Sequence, residues 1–251
     1  MNSVIYTLVC LALLAARPAM AQDDQEKIQV KARVGYSIGG TAPLGIPATI
    51  RSIESFRLTP SFMVGADGMY RLTEDFGLQV ALHFEIKDMD SEVTTKGYHM
   101  KVRMDDDELE GLYTGHVRQK VHQRMFTIPI QLTYDISPKV QLKAGPYLSL
   151  LVSKEFSGYA FDGYLRKDTP TGPKVVMGNE EGQWATYDFS DDMRRFQTGI
   201  AIGADWQVYK ALGLSLDLNW GLNGIFRKDF DTVEQTLYPI YATIGVFYRL
   251  K

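Results

Sequence analysis

The chain has 251 residues, a formal charge of -3, a pI near 5.8 and one cysteine. That balance offers no basic surface for nucleic acid, and a single cysteine excludes a disulfide framework or a cysteine-rich metal module. No nucleic-acid partner and no cofactor are therefore expected.

Residues 4 to 16 form an apolar run closed by Arg17 and Pro18, then Ala19, Met20 and Ala21. The run falls short of the roughly 20 residues a spanning helix needs, and small residues at Ala19 and Ala21 suit a signal-peptidase pocket. The expectation is a secretory signal over residues 1–21, with a retained anchor as the rival reading, and one mature domain over residues 22–251. Cleavage removes Cys10 and Arg17, so the mature chain has no disulfide and its charge falls to -4.

From Val30 a period of two begins: Val30, Ala32, Val34, Tyr36 and Ile38 alternate with Lys31, Arg33, Gly35, Ser37 and Gly39. The same alternation recurs, more loosely, from Leu58 to Tyr70. It returns over Phe76–Lys87, Phe126–Tyr134, Val140–Leu150, Phe196–Val208, Leu212–Asn223 and Tyr238–Leu250. Each segment predicts a strand apolar on one face only. The stretch Val117–Arg124 fits the opposite phase, which signals a bulge or a part of the strand beyond the membrane. Short turns at 71–75, 137–139 and 209–211 alternate with long connections at 40–55, 88–115, 154–194 and 226–237. Eight strands with long loops at one rim and short turns at the other predict an all-β fold. The class is an eight-stranded antiparallel up-and-down transmembrane β-barrel with long extracellular loops, located in the cell outer membrane after export.

Alternation alone does not say which face points inward, because a soluble lipocalin-like barrel has the same period. The polar face here is mostly Gly, Ser, Thr, Asn and Gln, sized for a narrow interior rather than for a solvated wall. On the apolar face, Tyr36, Tyr70, Phe76, Tyr134, Trp206, Trp220, Tyr238 and Tyr248 fall near strand ends, as an interfacial girdle requires. Turning the polar face to lipid would cost on the order of 2–4 kcal/mol each for Arg33 and Lys143 near the midplane. The expected lumen network is therefore Lys31, Arg33, Lys143, Arg195 and Arg249 with Asp67, Glu85, Asp205, Asp217 and His83, filling the barrel rather than leaving a pore.

Several segments resemble the PorT-like family of small outer-membrane β-barrels: Phe126-Thr127-Ile128-Pro129-Ile130-Gln131-Leu132, Leu142-Lys143-Ala144-Gly145-Pro146-Tyr147, Leu218-Asn219-Trp220-Gly221-Leu222-Asn223-Gly224-Ile225 and Ile244-Gly245-Val246-Phe247-Tyr248. The resemblance implies the barrel, the outer membrane and an envelope role such as a secretion accessory, and it brings no catalytic set.

Catalytic chemistry has thin support. Some small outer-membrane barrels modify lipids, which takes a nucleophile, a base and an orienting carboxylate within reach. His83 is the one histidine in a strand core, and a structural lumen hydrogen bond is the simpler role. His99, His116 and His122 lack ligand spacing, and the acidic run Asp105–Glu110 lacks the alternating ligands and glycine of a calcium loop. No metal is expected. The segment 154–194 carries Tyr159, Phe161, Tyr164, Trp184 and Tyr187, which either form a binding loop or pack on one another over the barrel mouth. The expected function is a non-enzymatic structural or interaction protein whose partners are outer-membrane lipid and an envelope protein or extracellular ligand. The alternatives are a narrow porin-like transporter or a lipid-modifying enzyme.

Overall fold

A strand with one apolar and one polar face must find a medium for each, and a closed ring in a bilayer supplies both. The computed structural model describes residues 27–250 apart from 46, 58, 60, 105, 106, 168, 181, 231 and 234, so the expected signal segment lies outside the described residues. Its strands are β1 (Ile28–Pro43), β2 (Ile50–Arg57), β3 (Phe62–Arg71), β4 (Phe76–Met104), β5 (Asp107–Ser137), β6 (Val140–Lys167), β7 (Lys174–Met177), β8 (Ala185–Asp188), β9 (Phe196–Tyr209), β10 (Leu212–Gly221) and β11 (Leu237–Arg249). Antiparallel pairing runs β1–β3–β4–β5–β6–β9–β10–β11 and back to β1, a ring of eight strands. Its closing seam is long, from Lys31 opposite Arg249 to Pro43 opposite Leu237. Closure leaves no ring strand with a free edge in the bilayer.

The outer wall is apolar and bare. Val34, Val64, Leu82, Ile130, Leu142, Ile202, Leu216 and Ile244, one from each ring strand, are 42–59 % exposed. Lys31, Arg33, Asp67, Glu85, Gln131, Lys143, Asp205 and Thr243 are buried inside. This inside-out distribution places lipid against the wall. It also fixes the register, since a slip of one residue would exchange every lipid contact for a lumen charge.

Two expected loops are strands. Residues 88–115 continue β4 and β5 as one hairpin, from Asp88 opposite His122 up to Met104 opposite Asp107. β6 likewise continues through Lys167, and residues 168–195 contribute β7 and β8 alongside it. β5 alone has 31 residues, a contour of roughly 100 Å against the 9–11 residues a tilted strand needs to cross a bilayer. The first loop is also partly strand, because β1 reaches Pro43 and β2 pairs with β4.

The alternation inverts where these strands leave the bilayer. In β5, Phe126, Ile128 and Ile130 face out below the boundary. Above it Val117, Val121 and Met125 face in, while Arg118, His122 and Arg124 turn outward. A register shift between Arg124 and Met125 marks the level of the change. The cause is the outside medium, which changes from lipid to water. The extended part therefore folds like a water-soluble sheet around an apolar core that includes Met100, Tyr113, Val121, Phe156, Leu165, Tyr187 and Phe226.

Candidate functional site

Two regions gather the candidate side chains: the lumen and the extracellular sheet. In the lumen, neighbouring strands set charged residues at one level because each contributes every second side chain to the interior. Arg33 on β1 lies at the centre. Its Nε and Nη2 donate to Asp67 Oδ2 at 2.8 and 2.5 Å, its Nη2 and Nη1 donate to Asp205 at 2.8 and 3.1 Å, and Nη1 also reaches Asp217 at 3.2 Å. Lys31 donates to Asp205 Oδ2 at 2.8 Å and to Gln141 Oε1 at 2.9 Å. Lys143 bridges Asp205 at 2.9 Å and Asp217 at 2.7 Å. His83 Nε2 is 2.8 Å from Asp67 Oδ1, so its partner is Asp67 rather than the sequence neighbour Glu85.

Close approach is needed at two glycines. A Cβ on Gly65 would stand 2.5 Å from the His83 ring, and one on Gly203 would stand 2.2 Å from Asp217 Oδ1 and 2.8 Å from Lys143 Cε. A smaller second cluster joins Glu85 to Lys87 at 2.7 Å and to the Thr127 hydroxyl at 2.6 Å. Lys87 and Gln141 are additional network members; both share the inward parity of their strands, which is the signal that finds them. A lumen cavity bounded by Met63, His83, Glu85, Gln131, Asp217 and Thr243 measures ≈ 10 Å³, room for about one water.

Two residues expected in the network lie outside it. Arg195 is exposed on the outer wall just before β9, because Met193 takes the buried position and pairs with Phe226 while Arg194 Nε turns to the Phe226 carbonyl. Arg249 stands half-buried at the short-turn rim, where its Nη2 donates to Gln207 Oε1 at 2.5 Å. Of the aromatic set, Tyr70, Phe76, Tyr134, Trp206 and Tyr248 stand on the outer wall at that rim, with Phe76 and Tyr134 rings 4.9 Å apart. Tyr36 and Trp220 lie on the same wall toward the other end, Tyr36 against Phe62 at 5.8 Å. Tyr238 is half-buried opposite Ala42, higher than the rest.

The aromatic segment of the extracellular sheet divides between the two readings. Tyr187 is core: it is buried, its hydroxyl donates to the Arg118 carbonyl at 3.0 Å, and its ring joins Phe156 and Phe189. Burial holds its phenol above the ordinary range, and Tyr113 is raised for the same reason. Tyr159 and Trp184 stack at 4.3 Å and 10°, half-buried, with Phe161 5.4 Å from Tyr159. Tyr164 lies under Lys174 Nζ at 4.1 Å. Arg118 pairs with Asp90 at 2.9 Å, and its hydrogen bonds hold the Asp90 carboxyl below the usual carboxylate range. Above the bilayer, Ile53 and Phe56 on β2 and Val176 on β7 remain 46–68 % exposed. Beneath β2 a cavity of ≈ 280 Å³ is lined by residues including Phe56, Met89, Met100, Phe156 and Val233.

The family described as outer membrane protein beta-barrel domain matches residues 20–227. The chain belongs to that family. Outer-membrane localisation follows from this membership together with the apolar outer wall, and it assigns lipid to that wall. Ail of Yersinia pestis, solved in complex with the heparin analogue sucrose octasulfate, is 9 % identical, with 89 % of this chain and 99 % of Ail covered and a TM-score of 0.38. OprG from Pseudomonas aeruginosa is 12 % identical, with 89 % and 96 % covered and a TM-score of 0.31. Neisserial surface protein A is 11 % identical, with 88 % and 96 % covered and a TM-score of 0.33. No curated protein sequence matches the chain.

Proposed function

We propose that this outer-membrane barrel is a non-enzymatic interaction protein, a PorT-like envelope-complex or secretion accessory with a plugged lumen. It works through its extracellular sheet, on a protein partner or an extracellular ligand, after export and loss of residues 1–21. The observation that carries the reading is the continuation of β4, β5 and β6 far above the bilayer around an apolar core. A scaffold of that size is more than the barrel needs for closure, and it holds aromatic side chains on rigid strands. Half-buried rings such as Tyr159, Phe161, Tyr164 and Trp184 lose little entropy on binding and are the residue types that anchor interfaces. Among the described residues β2 pairs only with β4 and β7 only with β6. Both therefore offer a free edge with exposed apolar side chains, a form of surface that takes an added strand.

The plug reading rests on the charge network. Arg33 and its carboxylate partners cross the lumen at 2.5–3.2 Å, and ion passage would have to break several buried pairs. The non-enzymatic reading rests on His83, whose Nε2 is engaged with Asp67 and which has no nucleophile in a relay with it among the contacts described. Site-specific photo-crosslinking in intact cells tests the partner reading. A crosslinker at Tyr164 or Trp184 is expected to give a discrete adduct that the same group at Tyr209, on the opposite rim, does not. Absence of any adduct across Tyr159, Phe161, Tyr164, Trp184 and Val176 refutes the binding surface.

A further inference from the structure

Immediately above the lipid-facing wall, at the seam of β6 and β9, lies an open crevice of ≈ 580 Å³ lined by Lys154, Asp191, Met193, Arg194, Arg195, Phe196 and Arg227. Its floor is the top of the apolar belt: Phe196 is paired with Leu150, Leu150 with Phe126, and all three are more than 40 % exposed. One step higher the side chains become cationic. Arg195 is exposed next to Phe196, and Arg124, exposed, stands opposite Ser153 on the adjoining pair of strands.

Four cations face one carboxylate in this lining. Lys154 Nζ donates to the carbonyls of Ser190, Asp191 and Met193 at 2.7–3.0 Å, and Arg194 Nε donates to the Phe226 carbonyl at 2.6 Å. Those bonds fix the side chains without neutralising them. Arg227 is answered by Asp192 at 2.8 Å and by Asp229 at 3.8 Å, which leaves Lys154, Arg194 and Arg195 with Asp191 as the one carboxylate of the lining. Among the described residues, no carboxylate lies within ion-pair distance of Lys154, Arg194 or Arg195. Burial holds the Lys154 ammonium below the ordinary lysine range against the opposing pull of the nearby Asp191 carboxylate, with the Arg195 and Arg227 charges adding to the lowering.

Crowding of like charges at this height is costly unless an anion answers it, and the location says which anion. The crevice is continuous with the lipid wall at the level where headgroups lie, and Arg is suited to bidentate phosphate contacts. We propose that this crevice binds the phosphate-bearing headgroup of an outer-leaflet lipid, with its acyl chains lying against Leu150, Phe126 and Phe196. Arg195 and Arg194 supply the phosphate contacts, and Lys154 adds fixed positive potential. The proposal rests on the outer-membrane location and is independent of the protein-partner reading.

Native mass spectrometry of the full chain, folded in detergent and titrated with bisphosphorylated lipid A or its dephosphorylated form, tests it. The wild-type chain is expected to retain the phosphorylated lipid at least about five-fold better, since a basic residue near a charged surface contributes roughly that factor. Arg195→Gln is expected to remove most of the preference and Arg195→Lys to keep much of it, with heat-modifiable gel migration showing the barrel folded in both. Equal retention of the two lipids overturns the proposal. So does a preference that survives in the Arg194→Gln/Arg195→Gln double variant, or binding of inorganic phosphate as tight as that of the lipid.

Discussion

Asp205→Asn removes the carboxylate on which the lumen network converges. Asp205 is 2 % exposed and accepts from Lys31 at 2.8 Å, Arg33 at 2.8 and 3.1 Å, and Lys143 at 2.9 Å. The core of the network balances Lys31, Arg33 and Lys143 against Asp67, Asp205 and Asp217, and the substitution leaves one uncompensated positive charge. Arg33 retains Asp67 and Lys143 retains Asp217. Lys31 retains the neutral Gln141 oxygen and the face of the Phe247 ring at 4.9 Å but no carboxylate, while the new amide turns an N–H donor toward cations. Breaking a buried pair by removing one partner costs about 3–5 kcal/mol, a large part of a total stability of roughly 5–15 kcal/mol. Reversible urea unfolding in lipid vesicles, followed through the wall residues Trp206 and Trp220, reads the loss. Lys31→Met in the Asp205→Asn background is expected to recover part of it, because it restores charge balance. A loss below about 1 kcal/mol, or a second substitution that deepens the loss, would refute the account of the network.

Gly203→Ala is expected to destabilise by about 1–3 kcal/mol, since the added methyl overlaps Asp217 Oδ1 and crowds Lys143 Cε; the same unfolding assay reads it, and an unchanged midpoint contradicts the close approach. The Asp90–Arg118 pair makes the extracellular sheet acid-sensitive. Because Asp90 is held below the unfolded carboxylate value by the Arg118 hydrogen bonds, with Arg57 and Lys120 adding to the effect, its contribution is complete above the unfolded pKa of about 3.9. It is lost as pH falls through the lower folded value. Protection of amides 88–95 and 117–122 against hydrogen exchange, taken relative to the intrinsic rate at each pH, should therefore fall below about pH 4, and Asp90→Asn should remove that part of the acid response while weakening the sheet at neutral pH. An identical acid profile in the variant contradicts the assignment.

The membrane-spanning strands are legible because lipid on one side and a filled lumen on the other impose a strict period of two. Leu212 to Leu222 and Val140 to Leu150 show it plainly. The extracellular strands are hidden for the complementary reason. Residues 88–115 have water outside and a core shared with other strands inside, so Met89, Met100 and Val102 do not form a run that stands out from a polar loop. Their pairing depends on partners elsewhere in the chain. Lys101 opposite Glu110 and Arg103 opposite Glu108 leave only a weak trace of opposite charges. The opposite phase of Val117–Arg124 was the one clear local sign, and exit from the bilayer accounts for it: the inward parity of β5 continues unbroken from Val117 to Gln131, while the register shift at this level falls on β6, where Val152 is skipped. Arg195 shows the limit of parity arguments, which hold inside a strand and fail one residue before it begins.

Planar-bilayer recording on the purified full chain tests the central claim, a barrel sealed by its own charges and used for binding rather than passage. The account predicts a silent barrel in the wild type and the appearance of conductance in Asp205→Asn or Arg33→Ala, which open the network. Steady ohmic conductance through the wild-type barrel would contradict it.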